Sequence, residues 1–234
     1  MRLIEICEYR GRIILKSGLH IDSGDMEMHI GGTDRVVIKH PHTLEPYIPG
    51  SSLKGKTRSL LELESGYMAV TGGAPLGPRH IEQEFDGAMK ERGVQIVRFF
   101  GSSGAEEDDG TYGPTRVSFA DCYLNRAWKE RAKANRWPLT EVKSENSINR
   151  VNGTAQNPRF IERVPEGTEF DFNVTIKVLH EGEKEAFEAL LFKGLKLVEM
   201  DALGGSGSRG YGRVVFEIDG EAGERFRQCN PFSA

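Results

Sequence analysis

Two strand-helix-strand units, one toward each end of the chain, predict an α+β fold. It is a split βαβ sandwich of ferredoxin-like or RRM-like type, with a core enlarged by large insertions. The firmest observation is Phe170 to Val178, where apolar and polar residues alternate without a break, as in a half-buried strand. The second is the segment after it, where Phe187, Leu190, Leu191, Leu195 and Val198 fall at helical spacing around Gly194. The third is the run Val214 to Ile218, which closes the second unit as a strand.

In the first unit, Arg2 to Lys16 is rich in Ile, Leu and Tyr and reads as a strand. It runs into Ser17-Gly18-Leu19-His20-Ile21 and then into a loop carrying Gly24, Gly31 and Gly32. Ser51 or Ser52 suits a helix N-cap, with Leu53, Thr57, Leu60 and Leu61 following at helical spacing. The glycine- and proline-rich stretch 67–93 predicts an irregular, lid-like insertion. Val94 to Phe100 and Arg116 to Leu124 read as strands bracketing the acidic run Glu106-Glu107-Asp108-Asp109. No internal repeat stands out, and residues 1–234 are read as one domain with insertions at about 67–93 and 125–165.

Composition narrows the function classes. The net charge of −4 argues against nucleic acid as a partner of the whole surface. Yet Lys54, Lys56 and Arg58 cluster at the start of a helix, and 126–136 is strongly basic, so a local phosphate-binding face remains open. Trp128 and Trp137 in that basic stretch are more at home on an amphipathic surface than on bases. No window approaches the roughly 20 apolar residues of a membrane span. The charged N-terminal segment lacks a secretory apolar core, so no membrane and a cytoplasmic location are expected. Cys7, Cys122 and Cys229 are an odd number without zinc-ligand spacing, and are expected to be buried apolar residues.

Gly50 to Thr57 matches the Gly-x4-Gly-Lys-[Ser/Thr] pattern of a nucleotide-binding P-loop. A true P-loop follows a buried parallel strand, whereas this one follows Pro41, Pro46 and Pro49, which remove ladder donors. A nucleotide is therefore not expected, and the NTPase reading predicts ATP binding that Lys56→Ala would abolish. A second glycine-rich loop, 203–213, follows a helix and precedes a strand, the reverse of a dinucleotide site. Its backbone N–H groups could approach a phosphodiester, with Arg209 and Arg213 as charges and Tyr211 as a stacking face. A flexible turn is the plainer alternative.

Gly18-Leu19-His20-Ile21, then Ile30-Gly31-Gly32-Thr33-Asp34, then Pro46 to Lys56 with Arg58, and finally Leu203 to Arg213 occur in this order. Together they resemble the RAMP superfamily of CRISPR-associated proteins, and more narrowly the repeated backbone subunit of type III-A effector complexes. The likeness spans nearly the whole chain. It implies an RRM-like core that binds CRISPR guide RNA and stacks as a filament with copies of itself, beside other effector-complex subunits. It further implies that each copy cuts complementary target RNA at regular intervals, using a divalent metal such as Mg2+ or Mn2+ and no nucleotide cofactor.

By that resemblance Asp34 is the catalytic residue and the protein's ligand to the metal, the RNA phosphate supplying the rest. Guide RNA would be contacted by His20, Ser51, Ser52, Lys54, Lys56 and Arg58, and by Gly205, Ser206, Gly207, Ser208, Arg209, Tyr211 and Arg213. Residues 143–165 resemble the family's thumb hairpin, with Asn146, Ile148, Arg150, Arg159, Phe160 and Arg163 placed to wedge into the guide-target duplex. Asp22 to Asp25 stands where the family carries a glycine run. A non-cutting scaffold that only coats guide RNA is the alternative within the superfamily. A metal-independent guide-processing nuclease using His20 as base is another.

Overall fold

The computed structural model describes residues 2–24, 33–81, 87–102 and 110–233. The sequence-predicted loop glycines Gly31 and Gly32 and the acidic run 106–109 lie outside these residues.

A four-stranded sheet is built from β1 (Glu5–Leu15), β2 (Val117–Phe119), β5 (Glu169–Val178) and β6 (Val214–Ile218), in the order β2-β5-β1-β6. β1 pairs antiparallel with both β5 and β6, and β2 antiparallel with β5. With α1 (Gly50–Glu64) between β1 and β2, and α6 (Glu183–Met200) between β5 and β6, this is the split βαβ arrangement. The inward residues of the strands, among them Tyr9, Ile13, Phe172, Val174, Ile176 and Phe216, meet Leu53 and Leu61 of α1 and Leu191, Leu195 and Val198 of α6. Gly194 on α6 allows close crossing: a Cβ there would lie 2.5 Å from Thr57 Cγ2.

Four expectations need correction. Val94 to Phe100 is the C-terminal half of a helix, α4 (Gly87–Phe100). Its Val, Ile and Phe residues favour strands, but Gly93, Ile96, Val97 and Phe100 recur at i, i+3, i+4 and i+7 and are buried together. Within 67–93, short helices α2 (Met68–Thr71) and α3 (Pro78–Ile81) precede α4. The N-cap of α1 is Pro49, with neither Ser51 nor Ser52 capping; the Gly50 N–H instead donates to Asp121 Oδ1 at 2.7 Å. Only Val117–Phe119 of the 116–124 segment is a ladder strand, although Cys122 and Leu124 make isolated bridges to Ile48 and Phe170.

Helix α5 (Arg126–Ala134) carries the basic stretch, with Trp128 buried in the core and Trp137 half exposed. α7 (Gly220–Gln228) packs Phe226 against Phe192 and Phe216. The hairpin of β3 (Glu141–Ile148) and β4 (Ala155–Arg163) forms a separate two-stranded sheet. Cys7 and Cys122 are buried, and all three cysteines are free thiols. Among the described residues no helix is long and apolar enough to cross a membrane.

Candidate nucleic-acid interface

An RRM reads RNA with aromatic side chains on the open face of its sheet. Here the charged residues of that face pair with one another, and its exposed apolar residue is Ile6, an aliphatic side chain. Arg10 meets Glu8 at 2.8 Å, and Arg12 bridges Glu169 and Glu217 at 2.9 and 2.7 Å. Asn173 donates to Glu8, and the outward positions of β1, β5, β6 and β2 hold no aromatic ring. Candidate binding groups gather instead in the loops that follow β1 and precede β6.

There the glycine-rich loop closes on itself and lies along the chain leaving β1. Leu203 N–H donates to Gly212 O at 2.8 Å, Gly212 N–H to Gly18 O at 2.9 Å, and Gly205 N–H to His20 O at 2.9 Å. The contacts are backbone to backbone, which is why glycines are needed. Gly212 has φ +73, and a Cβ on it would sit 1.9 Å from Leu203 O. Gly207–Arg209 forms a single 3-10 turn entered through Ser206 at φ 62.

His20 is 2% exposed. Its Nδ1 lies 2.7 Å from Glu162 O, so Nδ1 carries the proton, because a carbonyl only accepts. Nε2 has no hydrogen-bond partner among the described residues and lies 3.9 Å from Asp22 Oδ2. His20 lines a cleft of about 410 Å3 together with Arg35, Ser52, Lys56, Gly204 and Gly205. Lys56 is held at 2.6 Å by Asp201, at the entrance to the glycine-rich loop. Lys54 has no ion-pair partner among the described residues; partial burial, then the neighbouring Arg58 charge, push its pKa down. A desolvated cation without a counter-ion is a ready place for a phosphate.

Two of the sequence-predicted RNA contacts are otherwise engaged. Arg58 donates to Glu62 at 2.6 Å, to Gly101 O at 2.8 Å and to Leu76 O. It ties α1 to the segments before α3 and after α4, so its charge is spent inside the fold. Arg58→Met is expected to cost about 2 kcal/mol of stability in a denaturation curve, with no effect on the salt dependence of RNA binding. Tyr211 is fully buried, its OH donating to Glu145 Oε1 at 2.8 Å and its ring flanked by Lys143 at 4.6 Å and Arg163 at 5.1 Å. It is a bolt between loop and hairpin rather than a stacking face for bases.

The P-loop reading also fails on geometry. The sheet beside α1 is antiparallel, and among the described residues no ladder strand leads into the helix. Thr57, which would bind a nucleotide's metal, is buried with its hydroxyl on Leu53 O at 2.8 Å.

Glu145 is the hub of the hairpin base. Burial opposes its ionisation, but hydrogen bonds from Tyr211 and Arg209 and the nearby Lys143 outweigh it and hold the carboxyl below its usual range. Glu162 on β4 takes Lys39 at 2.6 Å and Val37 N–H at 3.0 Å. Arg163 pairs with Glu141 at 2.7 Å, so it braces the base. From this fixed base the hairpin projects Asn146, Ile148, Arg150, Val151, Arg159 and Phe160, all exposed.

Asp34 sits where hairpin and core meet. Its N–H donates to Phe160 O at 2.9 Å, and its Oδ2 accepts from Phe160 N–H at 2.6 Å, so one edge of the carboxylate is fixed. Oδ1 makes no hydrogen bond among the described residues. The surrounding cleft, about 570 Å3, is lined by Arg35, Asn157, Pro158, Arg159, Ile161 and Arg209. Of its three guanidinium groups only Arg209 is paired, with Glu145; Arg35 and Arg159 have no ion-pair partner among the described residues. An anion held beside Asp34 would therefore be met by two uncommitted positive charges.

Arg35 was missed in the sequence although it follows Asp34 directly. It lines both the Asp34 and the His20 clefts, a relation that only the folded chain reveals. Ser51, Ser208 and Arg213 are exposed, while Ser206 and Gly207 are half-buried.

A profile of the RAMP superfamily matches residues 15–215. The chain is 37% identical over 222 residues to the CRISPR system Cms endoribonuclease Csm3 of Methanothermobacter thermautotrophicus, covering 88% of this chain and 82% of the relative. It is 39% identical over 212 residues to the Streptococcus thermophilus protein of the same name, covering 90% and 86%. Among solved structures, a Csm3-Csm4 subcomplex of the type III-A CRISPR-Cas interference complex superposes with a TM-score of 0.55 at 28% identity, over 93% of this chain and 79% of that one. On sequence and fold together, the chain belongs to the RAMP superfamily and, within it, to the family of the Csm3 endoribonucleases.

Proposed function

We propose that this chain is the guide-RNA-binding backbone subunit of a type III CRISPR effector and that it cleaves RNA complementary to the guide. The observation that carries the reading is a single carboxylate with one oxygen fixed and the other without a hydrogen bond among the described residues, in a cleft that three guanidinium groups also line, at the foot of a projecting hairpin. The family supports it: the relatives bear the name endoribonuclease, and one solved neighbour is a subcomplex with Csm4.

In this reading sequence is read by base pairing and the protein grips backbone and shape, the division of labour known from another RNA-guided effector. Lys54, Lys56, Ser52 and the glycine-rich loop hold the guide. The hairpin's exposed Ile148, Val151 and Phe160 wedge apart a base step, at a cost of a few kcal/mol. That exposes the adjoining phosphate to Asp34 of an adjacent copy, where Arg35 and Arg159 would offset its charge.

Among the described residues no three His, Cys, Asp or Glu side chains converge on a metal. A divalent ion, Mg2+ or Mn2+, fits only as a shared ion, held by Asp34 Oδ1, RNA phosphate oxygens and water. Such an ion would neutralise charge on the reacting phosphate. Asp34 itself would hold that ion or orient the attacking hydroxyl. In the assembled complex, copies of this chain stack along the guide with the other subunits.

RNA co-purified with the chain from its native host tests the reading. Sequencing should return guide RNAs carrying CRISPR repeat sequence; random cellular RNA would overturn it. Lys54→Ala should weaken RNA binding and flatten the plot of log K against log salt by about one unit, and an unchanged slope would remove Lys54 from the interface.

A further inference from the structure

We propose that His20 is the residue by which this site selects RNA over DNA, its Nε2 accepting a hydrogen bond from a ribose 2′-hydroxyl of the bound strand. The inference rests on the guide-binding reading and adds to it a chemical group to be recognised.

The fold fixes one tautomer of His20. Nδ1 faces a carbonyl, Glu162 O at 2.7 Å, so Nδ1 keeps the proton and the neutral ring presents a lone pair at Nε2. That nitrogen is buried, and no donor among the described residues satisfies it. Leaving a buried acceptor unmet costs about 1–3 kcal/mol, so a persistent orphan calls for a partner from outside. The cleft it lines has Lys56 and Arg35 for phosphates, and Ser52 with the Gly204-Gly205 backbone for close approach. An uncharged acceptor among phosphate-binding cations suits a hydroxyl beside a phosphate, and RNA carries that hydroxyl where DNA does not. The placement is rigid, because Gly205 N–H holds the His20 carbonyl at 2.9 Å and Leu19 bridges Val164.

The test is a double-mutant cycle on the assembled complex, with His20→Asn as the protein variant. Asn keeps a donor for Glu162 O and lacks an acceptor at the Nε2 position. Guide RNAs carrying single 2′-deoxy substitutions are scanned for binding. Wild-type protein should lose about 5- to 10-fold affinity at the deoxy position facing His20. His20→Asn should lose as much with an all-ribose guide, and the two changes together no more than either alone. Losses that multiply, or a wild-type protein indifferent to every 2′-deoxy substitution, overturn the proposal. So does coupling of His20→Asn to a methylphosphonate substitution instead, which would make the contact a phosphate. If the wild-type complex fails to bind all-ribose guide at all, it is the guide-binding reading that falls, taking this one with it.

Discussion

Complexes assembled with Asp34→Asn will bind guide and target RNA as the parent does, yet cleave the target at least about 100-fold more slowly. Asparagine separates chemistry from structure at this position. Its amide oxygen can still accept from Phe160 N–H, the bond that fixes Oδ2 at 2.6 Å, so the hairpin base keeps its anchor. What disappears is the negative charge on the free oxygen, which is needed either to hold a cation or to orient a nucleophile. Asp34→Ala should be equally inactive and slightly less stable. Single-turnover cleavage of labelled target, beside a filter-binding measurement, reads both effects. Cleavage at the parental rate by the Asn variant would show that Asp34 does not carry the chemistry.

The second large effect concerns the glycine-rich loop. Gly212→Ala should lower stability by about 3 kcal/mol and abolish guide binding in whatever folded fraction survives. Two costs combine: an L residue is strained at φ +73, and its Cβ would meet Leu203 O at 1.9 Å, so the backbone has to part. Parting breaks the pair of bonds that close the loop and lay it on Gly18. Gly210→Ala supplies the control. It carries a similar φ, +84, but has nothing within 4 Å of the added Cβ, so it bears the strain alone. Equal stability losses for the two variants, measured by chemical denaturation, would show that the close approach is not what holds the loop.

Much of this was legible in the sequence, for definite physical reasons. The alternation from Phe170 to Val178 and the helical spacing from Phe187 to Val198 each bury one face against the other, and such patterns report tertiary position directly. Val94 to Phe100 misled because its residue types favour strands, while the spacing of Gly93, Ile96, Val97 and Phe100 held the helical signal. At the site, the sequence shows residue types but not what each side chain spends its polar groups on. Arg58 and Lys54 look alike in a basic cluster, yet one is saturated by Glu62, Gly101 and Leu76 and the other has no ion-pair partner among the described residues. Tyr211 resembles a stacking residue until Glu145, 66 positions away, is seen to hold its hydroxyl. Arg35 gains its interest only from two clefts assembled by distant segments.

The most direct test of the account as a whole is the pattern of product ends. The assembled complex, a matched guide and an end-labelled complementary RNA should yield a ladder of cuts at uniform spacing in the presence of Mg2+, and Asp34→Asn should erase every rung together. Intact target with the parental chain, or a ladder that persists undiminished in the Asp34→Asn complex, would contradict it.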